Sequence, residues 1–125
     1  MNLEFRIWNP SEAGLDPGGP PLANTIKSGQ VQKFEVCSEL FWKTAKHFLW
    51  EIHGLESFSP KMAIKGLYRT QYIDEQGYEK LLAMINDRNR LSHIYSEEQF
   101  NEIYMNLPDY LHLMKSVVEA TTSHG

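Results

Sequence analysis

Residues 30–54 read QVQKFEVCSELFWKTAKHFLWEIHG. Val31, Phe34, Ser38, Phe41, Ala45, Phe48 and Ile52 recur at steps of three and four, the spacing of an amphipathic helix. Leu40, Trp42 and Leu49 widen that stripe, which predicts a helix buried on more than one side. Gly54 follows the last periodic residue, where a helix commonly stops on a left-handed backbone.

The pattern repeats toward the C-terminus. Ser59-Pro60 reads as an N-cap followed by the first helical position, with Ile64, Leu67 and Tyr68 on the apolar side of a short helix. Asp74 to Gly77 is a turn or helix start, and a third helix is expected from Tyr78 to Tyr95. Ser96-Glu97-Glu98-Gln99 is a capping box that opens a helix with the stripe Phe100, Ile103, Tyr104, Leu107, Leu111, Met114 and Val118. Pro108 should kink it. Toward the N-terminus the signal changes. Pro10, Pro17, Pro20 and Pro21, with Gly14, Gly18 and Gly19, predict an irregular arm over 1–27, because proline removes donors and fixes φ. No alternating strand pattern of useful length and no internal repeat is present. The expectation is an all-α, four-to-five-helix up-and-down bundle over 28–120, preceded by the arm and followed by a frayed tail over 121–125.

The chain has 125 residues, a single cysteine and a net charge of −4. That length is one domain's worth and carries a core without staples. One cysteine excludes an internal disulfide framework. No apolar run nears the ~18 residues of a membrane span, and no basic segment leads into an apolar one, so a cytoplasmic protein with no membrane partner is expected. The acidic balance argues against a protein that coats nucleic acid by charge alone. Charge is unevenly spread: residues 27–72 are net +3 and residues 73–125 net −5. Within the basic part, Lys61, Lys65 and Arg69 recur every four residues on one helix face, a stripe that either is simply solvated or tracks phosphates.

One constellation breaks the apolar pattern. Leu81, Leu82 and Ile85 mark the inner side of the third helix, and Arg88, Asn89, Ser92, His93 and Tyr95 continue that side within an arc of about 160°. Burying unsatisfied polar groups costs roughly 1–3 kcal/mol each. The face therefore either forms a satisfied internal network with Asp87 that fixes helix register, or opens into a cleft for a charged ligand. Arginine suits phosphate by shape and charge. Histidine can take or give a proton near neutrality. The set suits phosphodiester chemistry without a metal, and no cofactor is expected.

Asp87-Arg88-Asn89-Arg90-Leu91-Ser92-His93-Ile94-Tyr95 resembles the Arg-x4-His-x-Tyr motif of HEPN domains, and more narrowly the nucleotidyltransferase substrate-binding protein family. Gln32-Lys33-Phe34-Glu35, Glu39-Leu40 and Trp42-Lys43 resemble that family's Arg-Phe-Glu…Glu-Leu-x-Trp-Lys helix, and Ser59-Pro60 stands where its next helix begins. The resemblance covers about residues 28–119. It departs at Lys33 for a usual arginine, at Tyr78 for a common tryptophan, and at the Pro/Gly arm, which replaces an opening amphipathic helix.

The resemblance implies a homodimer whose two Arg/His motifs face one cleft. It implies a toxin, a metal-independent endoribonuclease acting on RNA such as tRNA or mRNA. A cognate minimal nucleotidyltransferase would neutralise it by adenylylating Tyr95. Chemically, the 2′-hydroxyl would attack the adjacent phosphorus while His93 moves a proton. Arg88 would stabilise the phosphorane and Asn89 would position a phosphate oxygen or His93. Ser92, Arg90, Lys61, Lys65 and Arg69 are further phosphate or RNA contacts. The alternative is a non-catalytic nucleotide- or substrate-binding subunit of a two-protein nucleotidyltransferase, holding its ligand on the same face; a third is a plain helical adaptor.

Other residues read more plainly. Cys37 is a buried thiol among apolar neighbours. His47 and Glu51 lack a third metal ligand. His53 sits where a helix C-terminus favours a cation. Trp42 and Trp50 read as core or dimer contacts and Trp8 as an anchor for the arm.

Overall fold

The structure is a computed structural model; it describes residues 20–94 and 96–124, with side chains from 25 to 94 and from 96 to 123. Among these residues there are four α-helices and no strand: α1 (Pro20–His53), α2 (Pro60–Arg69), α3 (Glu75–Arg90) and α4 (Glu97–His124), with a single 3₁₀ turn, Leu91–His93, after α3. α1 packs on α2 and α4, α2 on α3, and α3 on α4, so the helices close into the expected bundle.

The ends of the helices follow local chemistry. Gly54 has φ 65°, and the amides of Gly54 and Leu55 bond back to the carbonyls of Trp50 and Leu49, which ends α1. Ser59 caps α2 by accepting from the Met62 amide at 3.2 Å, with Pro60 in the first turn. Asp74 caps α3 through the Gly77 amide at 2.8 Å, and Ser96 caps α4 through the Gln99 amide at 3.2 Å.

Three expectations are corrected. α1 already begins at Pro20, so the stretch 20–27 expected to be irregular is helical; prolines fit the first turn because their missing N–H had no carbonyl to meet there. α4 runs to His124, so 121–124 is helix, not frayed tail. The α-helix of the third segment stops at Arg90 rather than continuing to Tyr95. The remainder of the arm with Trp8, together with Tyr95 and Gly125, lies outside the described residues.

The core is the seam of the predicted stripes. Phe34, Phe41 and Leu49 of α1, Ile64 and Leu67 of α2, Leu81 and Met84 of α3, and Ile103, Leu107 and Met114 of α4 are fully buried, and Cys37 is buried among them. α1 is nonetheless buried on one side only: Val36, Leu40, Trp50 and Ile52 are about half exposed. Gly66 marks the closest approach of α2 to α1, since a Cβ there would stand 2.7 Å from Leu49 Cδ1. No helix among the described residues is long and apolar enough to cross a membrane.

Candidate functional site

The polar run at the end of α3 is divided between the interior and the surface. Asp87 is buried at 8 % exposure. The Tyr110 hydroxyl, from α4, donates to its Oδ2 at 2.5 Å, and Arg90 Nη1 donates to Oδ1 at 3.3 Å. Burial first, then the bond to and charge of Asp87, push the Tyr110 hydroxyl well above its ordinary range, so it holds its proton and remains a donor.

Arg88 points the other way, toward α1. Its Nη2 lies 2.9 Å from Glu39 Oε2. That oxygen also accepts from Trp42 Nε1 at 3.1 Å, while Lys43 Nζ sits 3.1 Å from Oε1. The Lys43 bond, then the Trp42 bond, hold the Glu39 carboxyl below its usual range against the opposing effect of burial, with the charges of Arg88 and Lys43 adding to the shift. Arg88 Nε is buried and has no hydrogen-bond partner. The two separated sequence motifs thus meet at one carboxylate: Glu39, Trp42 and Lys43 from α1, and Arg88 from α3.

Asn89, Ser92 and His93 face outward. After Arg90 the chain tightens into the 3₁₀ turn and then extends at Ile94 (φ −85°, ψ 128°). A 3₁₀ turn has three residues per turn. The ideal-helix projection that put Arg88 and His93 on one arc therefore fails beyond Arg90. Asn89, Arg90, His93, Ile94 and Gln99 line an open cleft of about 210 Å³ to which Arg88 does not contribute. His93 and Asn89 are brought together, whereas Arg88 and His93 are directed to different surroundings within one protomer. Tyr95 lies outside the described residues.

The α2 cations form a separate group. Lys61, Lys65 and Arg69 are all exposed, as a stripe at spacing four must be, and Lys65 and Arg69 line a cavity with Leu55, Glu56, Ser57, Met62 and Gly66. That cavity shares no residue with the Asn89–His93 cleft. Among the described residues no group of three or more His, Cys, Asp or Glu is placed to hold a metal ion. Trp42 is partly buried against Glu39, whereas Trp50, expected to be a core or dimer contact, is 52 % exposed and so lies outside the core.

Two residues of the site escaped the reading of the α3 motif alone. Glu39 had a detectable signal, a carboxylate three residues before a tryptophan and four before a lysine on one helical face. Tyr110 had only a weak one, a tyrosine within an apolar stripe, whose hydroxyl needs a partner once buried.

Known proteins agree with this architecture. The family described as nucleotidyltransferase substrate binding protein like matches residues 11–123. A protein from Thermus thermophilus, known from its crystal structure, superposes with a TM-score of 0.76 at 30 % sequence identity, covering 89 % of this chain and 91 % of that one. No curated protein compared with the chain matches it. With the paired motifs, the four-helix bundle and a match across nearly its whole length, the chain belongs to the nucleotidyltransferase substrate binding protein-like family.

Proposed function

We propose that the chain is a non-catalytic substrate-binding subunit that works beside a separate nucleotidyltransferase, using the Asn89–Arg90–His93 cleft to contact a nucleotide or phosphate. The family's description supports this reading. The observation that carries it is the state of Arg88. Its guanidinium is paired with Glu39 at 2.9 Å and is absent from the cleft that His93 lines. A phosphorane needs positive charge and a proton carrier at the same place; Arg88 and His93 are apart, and the guanidinium that does line the cleft, that of Arg90, is paired with Asp87 at 3.3 Å. What remains in the cleft, an amide, an exposed guanidinium and an imidazole, is a binding set.

The ribonuclease reading retains one observation in its favour. His93 is exposed on an open cleft beside Asn89 and Arg90. A homodimer, RNA as substrate and Tyr95 as an adenylylation site all belong to that reading.

The experiment is to incubate the purified chain with single-stranded RNA in EDTA, and separately to add it to its nucleotidyltransferase. A binding subunit leaves the RNA intact and raises transfer by the partner, an effect that His93→Ala or Asn89→Ala lowers. RNA cleavage abolished by both His93→Ala and Arg88→Ala would overturn it in favour of the nuclease.

A further inference from the structure

We infer that the corner between α1 and α2 is a nucleotide subsite, with a base between Trp50 and Phe58 and phosphates at Lys65 and Arg69. This goes beyond the proposed use of the α3 cleft and shares no residue with it. The corner holds two adjoining cavities. One, of about 200 Å³, is lined by Lys46, Trp50, Glu56, Ser57 and Phe58. The other, of about 180 Å³, is lined by Lys65 and Arg69 with Met62 and the same Glu56 and Ser57. Glu56 and Ser57 are thus the wall between an aromatic chamber and a cationic one.

Each chamber carries an unexplained feature. Phe58 is 73 % exposed and Trp50 52 %, a heavy apolar exposure for two aromatic side chains only eight residues apart. Lys65 and Arg69 have no ion pair among the described residues. A second copy of the chain fits poorly, because lysine is depleted at the centre of protein interfaces and three cations rim these cavities. A nucleotide satisfies both chambers. Its base has a π-face that stacks on any aromatic ring. Its phosphates take Lys65 and the fork of Arg69. The carboxylate of Glu56, poised between them, accepts from ribose hydroxyls, as acidic residues do in dinucleotide sites. Lys46 also lines the aromatic chamber, and its ammonium lies over the ring of Trp42, 5.9 Å from the centroid.

A free nucleotide and the end of an RNA strand present the same base, ribose and phosphate. The test therefore titrates the full chain with ATP, adenosine, inorganic tripolyphosphate and hexaadenylate, read by tryptophan fluorescence and equilibrium dialysis. ATP is expected to bind about tenfold more tightly than adenosine or tripolyphosphate alone, since it fills both chambers. Trp50→Ala should weaken ATP about tenfold, while Trp50→Phe keeps the stack and stays within about threefold. Lys65→Ala with Arg69→Ala should bring ATP down to the adenosine level and leave adenosine unchanged. Hexaadenylate binding more tightly than ATP assigns the site to a strand, and equal binding assigns it to the free nucleotide. The inference is overturned by no saturable binding of either ligand at millimolar concentration, or by tripolyphosphate binding as well as ATP. It is equally overturned if Trp50→Ala changes only the oligomeric state, or if ATP binding survives Trp50→Ala and is lost in His93→Ala. That last outcome moves the nucleotide to the α3 cleft and leaves the proposed function standing.

Discussion

Tyr110→Phe isolates the bond that holds the α3 motif against α4. The substitution removes one oxygen and keeps the ring, which stacks on Phe34 at 6.0 Å between centroids. Asp87 Oδ2 then loses its only described donor, while Oδ1 keeps Arg90 at 3.3 Å. A hydrogen bond to a charged group is worth about 1.5–3 kcal/mol, and the 8 % exposure of Asp87 leaves little water to replace it. Unfolding entropy scaled to 125 residues converts each kcal/mol into roughly 4 °C of Tm, so a loss of about 6–12 °C is expected. Differential scanning calorimetry measures it. Alkaline pH gives an independent check. The Tyr110 hydroxyl is raised in the folded chain, so its contribution is complete below the ordinary tyrosine range near 10. Above that, the unfolded chain releases a proton that the folded chain retains, and stability falls by about 1.4 kcal/mol per pH unit until the folded group also ionises. Tyr110→Phe should make this alkaline decline shallower, with Tyr104, also raised by burial, supplying what remains. A Tm within about 1 °C of the parent, or an unchanged alkaline slope, refutes the argument.

Other perturbations have distinct signatures. Glu39→Gln should cost about 1 kcal/mol at neutral pH, since the pair with Arg88 is a third exposed on one side and a quarter on the other. Because the Glu39 carboxyl is held low, its contribution is present above the usual glutamate range and lost as pH falls through the depressed value. Parent and variant melting curves should therefore converge in acid. Gly66→Ala puts a Cβ 2.7 Å from Leu49 Cδ1, so the fully buried Leu49 side chain must shift within a packed core. Overpacking of about 1–3 kcal/mol outweighs the ~1 kcal/mol helix preference of alanine, so net destabilisation by urea titration is expected, relieved in the Leu49→Ala background. Ser59→Ala removes the cap on Met62 and should lose about 1 kcal/mol, most of which Ser59→Asp restores.

How much of this was legible in the sequence depends on what each feature requires. The buried stripes of α1 and α4 were readable because burial needs only period: Val31, Phe34, Phe41 and Ala45 are where the spacing puts them. Gly54, Ser59 and Ser96 were readable because end chemistry is local. Pro20 and Pro21 misled because proline marks both irregular chain and the first turn of a helix, and only the packing of the residues after them decides between the two. The exposed Leu40 and Trp50 misled because periodicity reports hydrophobicity, not whether a neighbour exists to cover it. The site was half legible. That α3 turns polar toward its end is written in the chain, but that Asp87 meets Tyr110 and Arg88 meets Glu39 depends on how α4 and α1 are placed around α3. The failure of helical projection at Leu91 is a matter of one turn tightening, which no residue there announces.

The Arg88–Glu39 pair also decides between binding subunit and nuclease, because it makes the two readings respond oppositely to one substitution. For Arg88 to serve a phosphorane, Glu39 must release it. Release is not prohibitive: Glu39 keeps Lys43 at 3.1 Å and the Trp42 indole at 3.1 Å, so its charge stays compensated. The cost is that of one partly exposed ion pair, about 1 kcal/mol, in every productive encounter with RNA. Glu39→Gln removes the competing charge and leaves a side chain of the same shape. In a nuclease that uses Arg88, the variant should cut RNA faster by about fivefold, the rate equivalent of ~1 kcal/mol, even as it loses stability. In a binding subunit the RNA stays intact in parent and variant alike, and the nucleotidyltransferase partner is stimulated to the same degree by both. Gel assays of single-stranded RNA in EDTA read the first outcome, and partner turnover reads the second. Faster cleavage in Glu39→Gln refutes the binding reading. Intact RNA with unchanged stimulation is what a guanidinium committed to holding α3 on α1 requires.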